Sequence, residues 1–546
     1  MTSGLAPILP VLLTGPPAVG KSTLGPLLAD RLGLPFIDLD HAVAVDTGLA
    51  RDDLFARGEV FFREAERRVL TASLDACAEG QRAVIAVGGG TLVDERLRRR
   101  ALESAIVLGL TSSRETLLAR AALGSRPLLP SATLGNALDE LLRARSDVYA
   151  DVHASFEVAG DAATACETIA SALTRGILPI APCGVRSHAA WMVDDLSFEA
   201  TLRAMIDRMD ASSITVVTDD NVARFHEAVM RSVVPEARWI VRPAGEMHKN
   251  WSSLEQVLVA LAEAGVDREG VLVGFGGGVT TDVTGLAAAL HARGIRWIAI
   301  PTSLMGMVDA ATGGKTAVNL GSSKNGVGAF HHPRAVIVNP GLSRTEDDRA
   351  VRAALAEVIK VACVRDADLF EWLDSHRDAL ARRDEGALRH AVRRALAVKT
   401  RVVNEDPDEA HVRRLLNFGH TFGHALEAAT QYERWLHGEA VAIGMLVALR
   451  VGEAVGVTPR SAVERVSALI RHVCTPELGL DRPVVNTALG ELFRDKKRAK
   501  NGIRFILLRE IGFGLTHSVK LDELRNLIEC AAAEILCRGA QAADQN

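Results

Sequence analysis

Val11-Leu12-Leu13-Thr14-Gly15-Pro16-Pro17-Ala18-Val19-Gly20-Lys21-Ser22-Thr23 passes from an apolar run through a glycine-bounded loop into a helical pattern, and this order decides the fold class. Gly15-x4-Gly20-Lys21-Ser22 has the spacing of a phosphate-binding loop: backbone N–H groups and a helix N-terminus face the phosphates, Lys21 adds a point charge, and Ser22 and Thr23 stand where Mg²⁺ and nucleotide are held. Outward from it, short apolar runs at Ile8–Leu13, Ala83–Val87 and Ala105–Leu110 alternate with amphipathic stretches, the pattern of a parallel sheet covered by helices. The ILPIAPCGVRS text, with Pro179, Pro182 and Gly184, has neither helical nor strand period and reads as a linker over 176–187.

A second alternating series follows over 188–342, with strands expected at Ile214–Thr218, Trp239–Arg242, Val271–Gly274 and Trp297–Pro301. Beyond Ser343 the β signals fade. Segments with 3.6-residue spacing, such as Val351–Val364 and Asp384–Val403, imply a mostly helical domain over 343–546 that ends in a frayed QAADQN tail. The expected architecture is therefore α/β: a P-loop domain over 1–175, a second α/β domain, and a helical domain.

Composition sets the class. With 546 residues, 48% of them hydrophobic and 4% aromatic, the chain is long enough for about three or four globular domains. A net charge of −5 argues against a general nucleic-acid or membrane-surface binder, so anion sites must be local concentrations of Lys and Arg. Seven scattered cysteines with no CxxC pair point to neither a disulfide framework nor a zinc knuckle, and fit a reducing cytoplasm. No signal peptide and no bilayer-spanning run are expected.

The second series carries its own chemistry. Gly276-Gly277-Gly278 between a strand and a helical pattern is a pyrophosphate-type turn. Glu357 falls in an AEVIK helix, and His420 and His424 stand four apart on one helix face, a spacing suited to a metal; Thr421 excludes the HExxH reading.

The first part resembles shikimate kinase over Val11–Ala154. The resemblance rests on the loop, Phe36-Ile37-Asp38-Leu39-Asp40, Phe62-Arg63-Glu64-Ala65-Glu66, Gly88-Gly89-Gly90, and Arg126-Pro127-Leu128-Leu129 followed by Arg145-x3-Tyr149. It implies Mg²⁺ with ATP held through Ser22 and Asp38, and an acceptor hydroxyl oriented or deprotonated by Asp40. It also implies a shikimate carboxylate gripped by Arg63 and Arg145, backbone approach at Gly88, Gly89 and Gly90, a lid residue Arg126, and Arg120 near adenine. Asp38 and Asp40, two apart at a strand end, are expected to point the same way. Pro16-Pro17-Ala18 departs from the flexible, Gly-containing run usual in the family.

The rest resembles 3-dehydroquinate synthase from about Val185 to Leu508. The match includes Thr218–Asn221, Pro243–Glu246 with Lys249, Gly276–Asp282, Arg293-Gly294, Pro301–Ser303, Gly313–Thr316, His437-Gly438-Glu439 and Asp495-Lys496-Lys497. It implies NAD at Asp219, Asn221, Glu246, Lys249, Gly277, Gly278, Val279, Asp282, Thr302 and Ser303. Zinc, one per chain and replaceable by Co²⁺, would lie on Glu357, His420 and His437, leaving His424 to face substrate although spacing alone favours the His420/His424 pair. Arg293, Lys315, Lys324, Lys360, Lys399, Arg413 and Lys496 or Lys497 would grip the phosphate and carboxylate of 3-deoxy-D-arabino-heptulosonate 7-phosphate. Asp309, Asn325 and Asn417 complete the expected site. The implied reaction oxidises C5, eliminates phosphate, returns the hydride and closes the ring by an aldol step. A homodimer through this half is also implied. The competing readings are an NAD- and metal-dependent alcohol dehydrogenase or another sugar phosphate cyclase, with the first part a regulatory nucleotide-binding module.

Overall fold

Strands Phe36–Asp38, Val84–Ala86, Val11–Thr14, Ile106–Thr111 and Ala154–Glu157 lie side by side in that order, all parallel, in the computed structural model of the protein. It describes residues 10–78, 82–122, 134–150, 152–158, 161–174, 189–321, 323–474, 480–496 and 503–543. The central strands are buried along their length, as a sheet covered on both faces requires, and Leu12, Ile85 and Val107 join Phe62, Leu70 and Leu74 of the long helix Glu59–Ala78 in one core.

The chain divides into two compact units, Met1–Pro182 with Ala189–Met209, and Cys183–His188 with Asp210–Asn546. Ala189–Met209 thus groups with the first unit, and the boundary expected at 342/343 runs inside the second. The expected linker lies wholly outside the described residues, as do Arg126 and Lys497, while Lys496 ends the helix Arg482–Lys496 with its side chain undescribed.

In the second unit, strands Ala335–Val338, Arg296–Pro301, Val271–Gly276, Ile214–Asp219 and Arg238–Arg242 follow one another in space, all parallel. Four of them stand within two residues of expectation. Ala335–Val338 is an addition, a four-residue buried run too short to announce itself. The region past Ser343 is mostly helical, with Asp348–Arg365 and Glu385–Glu405 matching the periodic segments.

The β signal does not end at Ser343, however. An antiparallel hairpin, Ile503–Glu510 with Phe513–Val519, interrupts the helices. A second hairpin, Lys315–Leu320 with Ser323–Phe330, precedes them; its Gly326 and Gly328 and many exposed positions hide it from an apolar-run criterion. The C-terminal helix Leu521–Ala543 also takes in Gln541, Ala542 and Ala543, expected as frayed tail.

Among the described residues, Cys166, Cys363, Cys474 and Cys530 are in no disulfide. No described helix is long and apolar enough to cross a membrane.

Candidate functional site

In the first unit the loop after Val11–Thr14 turns on Gly15 and Gly20, both at positive φ. A side chain on Gly15 would strike the Leu110 carbonyl. Ala18 also sits at φ 67, a conformation that costs an L side chain roughly 1 kcal/mol. Lys21 opens the helix Lys21–Leu32, and its ammonium donates to the Gly15 and Pro16 carbonyls at 2.7 and 3.0 Å. Ser22 and Thr23 are exposed beside it, and Arg120 donates to Val19 O at 3.2 Å, which places it against the loop.

The turn Gly88–Gly90 is the meeting point of this unit. Gly89 O accepts from Arg145 Nη1 at 2.9 Å and from Tyr149 Oη at 2.7 Å. An added Cβ would come within 3.3 Å of Asp40 Oδ1 at Gly88, within 3.1 Å of Pro17 at Gly89, and onto the Arg63 guanidinium at Gly90. A side chain at any of the three would have to displace these neighbours. Arg63 is held by Glu66 at 2.6 Å and by Glu59 at 3.2 Å, and buried Glu66 also accepts from Thr91 Oγ1 at 2.5 Å. Burial raises the Glu66 carboxyl above its usual range in spite of Arg63.

The expectation for Asp38 and Asp40 needs correction. The strand ends at Asp38, whose Oδ1 caps the next helix by accepting from the Asp40 and His41 N–H groups, so Asp40 lies in a helical first turn and strand alternation does not govern the pair.

In the second unit Val271–Gly276 leads through Gly277 into the buried helix Gly278–Leu290. A side chain on Gly278 would meet Ala310 Cβ at 2.9 Å, and one on Gly277 would meet Ser303 Oγ at 3.2 Å. Gly277 and Gly278 are half-buried at this helix start, a terminus whose N–H groups suit a pyrophosphate. Thr302 N donates to Gly276 O, tying the next strand end to this turn. Asp219 has both oxygens occupied, capping Val222 N at 3.0 Å and accepting from Thr280 Oγ1 at 2.7 Å; Asn221 is exposed in the first turn of the helix that Asp219 caps.

A cavity of about 520 Å³ opens beside the turn. It brings together Glu246, Lys249, Gly278, Val279, Asp282, Asp309, Lys315, Lys324, Asn325, Lys360, Lys399, Arg413, Asn417, His420, His424 and His437. Asp219, Asn221, Gly277, Thr302 and Ser303 do not line it. Arg293 does not either: it is exposed at φ 66 in the turn after the helix, where spacing alone could not place it.

The cavity lysines have acidic neighbours. Lys249 donates to Asp282 at 2.5 Å and to Asn325 at 2.6 Å. Lys399 bonds Asp309 through both carboxylate and backbone oxygen, with Lys360 4.0 Å from the same carboxylate. Lys324 reaches Glu427 at 2.7 Å, and Lys315 pairs with Glu409, which also accepts from Asn417 at 2.8 Å. Arg413 donates to Pro407 O and Gly313 O.

Burial alone would raise Asp309, but the charges of Lys399 and Lys360 outweigh it and hold the carboxyl well below its usual range. Burial pushes Asp282 up to about 6 against the pull of Lys249. Glu409 and Glu427 were not singled out by the sequence reading. Glu427 does carry a signal, standing seven residues after His420 on the same helix face.

Three metal-type donors, His420, His424 and His437, line this cavity, and Glu357 lies against two of them. Glu357 Oε1 is 3.8 Å from His420 Nε2 and 3.9 Å from His437 Nε2. Its side chain is fully buried, it touches Lys360, and neither oxygen accepts a well-formed hydrogen bond. One ring nitrogen from each of His420, His424 and His437 lies within 4.8 Å of the others. Burial lowers His420 well below its ordinary value and takes His424 down to about 4, leaving both rings neutral and able to donate lone pairs. Burial would lower His437 too, but the hydrogen bond and charge of Glu427, with the charge of Glu357, raise it. A buried carboxylate beside imidazoles is a donor set that zinc accepts.

These helices meet through glycine. A side chain on Gly438 would overlap the Ala353 carbonyl, and one on Gly444 the Gly419 carbonyl, so the three helices bearing Glu357, His420 and His437 pack at backbone distance.

Over residues 239–353 and 354–498 the chain matches the family models of the N-terminal and C-terminal parts of 3-dehydroquinate synthase, and over 17–175 that of shikimate kinase. It is 40% identical over 328 residues to the 3-dehydroquinate synthase of Bordetella pertussis, covering 59% of this chain and 90% of that protein. A solved 2-epi-5-epi-valiolone synthase from Streptomyces hygroscopicus subsp. jinggangensis, with NAD⁺ and Zn²⁺ bound, is 29% identical at a TM-score of 0.56, covering 64% of this chain and 97% of that one. A 2-deoxy-scyllo-inosose synthase, solved with carbaglucose-6-phosphate, NAD⁺ and Co²⁺, shares the fold at 24% identity and a TM-score of 0.57, covering 62% and 96%. The chain belongs to the 3-dehydroquinate synthase family and carries a shikimate kinase domain ahead of its synthase part, so that it is a bifunctional enzyme of the shikimate pathway.

Proposed function

We propose that the second unit binds NAD at the Gly276–Gly278 turn and zinc on Glu357, His420 and His437, and converts 3-deoxy-D-arabino-heptulosonate 7-phosphate to 3-dehydroquinate. The observation that carries this is a buried carboxylate within 4 Å of two ring nitrogens, under a cavity lined by paired lysines. When bound, NAD supplies a hydride acceptor that is restored in each cycle, and zinc supplies Lewis acidity at the substrate oxygen being oxidised.

The side chains do the rest. Lys315, Lys324, Lys360 and Lys399 pair with carboxylates in a confined space, and an anionic substrate competes for the same side chains. Substrate phosphate and carboxylate are thereby fixed relative to the ring, which lowers the entropic part of the barrier. Asp309, held ionised by Lys399, accepts from a substrate hydroxyl. The neutral His424 ring can accept or donate at a second hydroxyl, and Asn325 and Asn417 orient a third.

In the first unit, Lys21 meets the nucleotide phosphates, and Mg²⁺ with ATP is held near Ser22 and Asp38. Asp40 faces the acceptor hydroxyl of shikimate while Arg63 and Arg145 grip its carboxylate. Arg126 remains the expected lid residue, and Lys496 or Lys497 a further phosphate contact. Residues that converge on the Gly88–Gly90 turn from four parts of the chain support a working kinase over a regulatory module. We further propose a homodimer through the second unit and a cytoplasmic location, the latter in keeping with free cysteines.

Two assays test the reading. Phosphate should be released from the heptulosonate phosphate in the presence of NAD⁺ and zinc without accumulating NADH; net NADH would instead indicate an alcohol dehydrogenase. ADP formation should depend on shikimate, and its absence would sink the kinase assignment.

A further inference from the structure

Glu427 is a buried carboxylate, 2% exposed, with two cationic or donor partners from different elements. Lys324 Nζ, on the hairpin strand Ser323–Phe330, donates to its Oε1 at 2.7 Å. His437 Nδ1, on the first residue of the helix His437–Ala454, lies 3.3 and 3.2 Å from its two oxygens. Glu427 itself stands on the helix His420–Ala429, one element bearing His420 and His424. Burying a carboxylate is costly unless it is paired and hydrogen-bonded, and these contacts are what offset the cost.

From this geometry we propose that Glu427 is a positioning residue serving two groups at once: it fixes the tautomer and ring orientation of the metal ligand His437, and it aims the Lys324 ammonium into the substrate cavity. The inference rests on the zinc site proposed above. A carboxylate accepting the Nδ1 proton leaves the Nε2 lone pair directed at Glu357, which lies 3.9 Å from it, and raises the basicity of the ring as a ligand. The same carboxylate draws Lys324 down from the hairpin, where its ammonium also sits 5.1 Å from the Tyr432 ring centre. A single acid thus locks a zinc ligand and a phosphate-binding cation into fixed relative positions.

The two roles separate by substitution in the full-length chain. Glu427→Ala removes both. Its zinc dissociation constant, read by competition with a chromogenic chelator, should rise about 10- to 100-fold, and the KM for the heptulosonate phosphate should rise with it. Glu427→Gln is isosteric and keeps a carbonyl oxygen for His437 Nδ1–H but turns an amide toward Lys324. It should hold zinc close to the parental affinity and still show the raised KM, with kcat less affected. Lys324→Met should reproduce that KM change with zinc affinity unaltered. Parental zinc affinity and KM in Glu427→Ala, or a parental KM in Glu427→Gln, would overturn the proposal. His437→Ala, measured in parallel, separates the two readings. Zinc retained in that variant overturns the metal site on which the inference stands; zinc lost there but kept in Glu427→Ala overturns the role of Glu427 alone.

Discussion

At the scale of single residues, His424 and His437 are near neighbours in space with different expected duties. Their ring centres are 5.8 Å apart, yet His437 is tied to Glu427 and lies next to Glu357, whereas His424 opens onto the cavity. His424→Ala should therefore retain zinc by elemental analysis while phosphate release falls on the order of 100-fold, the scale of a lost acid–base or orienting group. A second residue-scale effect belongs to Glu346. Burial lifts its carboxyl to about 7, although the group accepts from Leu304 N at 2.6 Å. Because the folded pKa exceeds the unfolded one, the folded state binds more protons than the unfolded state, and its stability falls as pH rises from about 4.5 to 7. Glu346→Gln keeps the acceptor and should flatten that slope, raising stability at pH 8 by on the order of 1–2 kcal/mol while changing little at pH 4; urea melts at both pH values check this. The donor types at the site were legible because His, Glu and Lys stand in characteristic runs. Their counter-charges were not. Glu409 pairs with Lys315 across 94 positions and Glu427 with Lys324 across 103, and no local period records such meetings.

At the scale of elements, periodicity served well where one face or a whole strand is buried. The buried runs Val271–Gly276 and Arg296–Pro301 stood out, as did the helix Asp348–Arg365. It failed for the two hairpins, whose residues alternate irregularly and include glycines, and at Asp38, where a capping interaction ends the strand before alternation can continue. Nor could sequence alone reveal that Gly438 and Gly444 are contact points between helices. Gly438→Ala should drive the helix His437–Ala454 away from Asp348–Arg365 and displace His437 relative to Glu357. The expected outcome is a loss of about 1–3 kcal/mol by denaturant unfolding together with weakened zinc retention. A normal melt with full zinc content would show that the helices accommodate the extra carbon freely.

For the whole molecule, two chemistries with different ionic needs share one chain. Each unit holds five mutually parallel strands among the described residues, and the described candidate residues of each reaction lie within its own unit. EDTA followed by excess Mg²⁺ should abolish phosphate release from the heptulosonate phosphate and leave shikimate-dependent ADP formation near its starting rate. Parallel loss of both activities would reveal dependence between the units. The glycine contacts in the synthase unit have one more consequence, for how this chain can drift. The nearest obstacles facing Gly438 and Gly444 are peptide carbonyls, so exchanging a neighbouring side chain cannot by itself make room. Suppressor screens begun from alanine at either position should return chiefly true revertants.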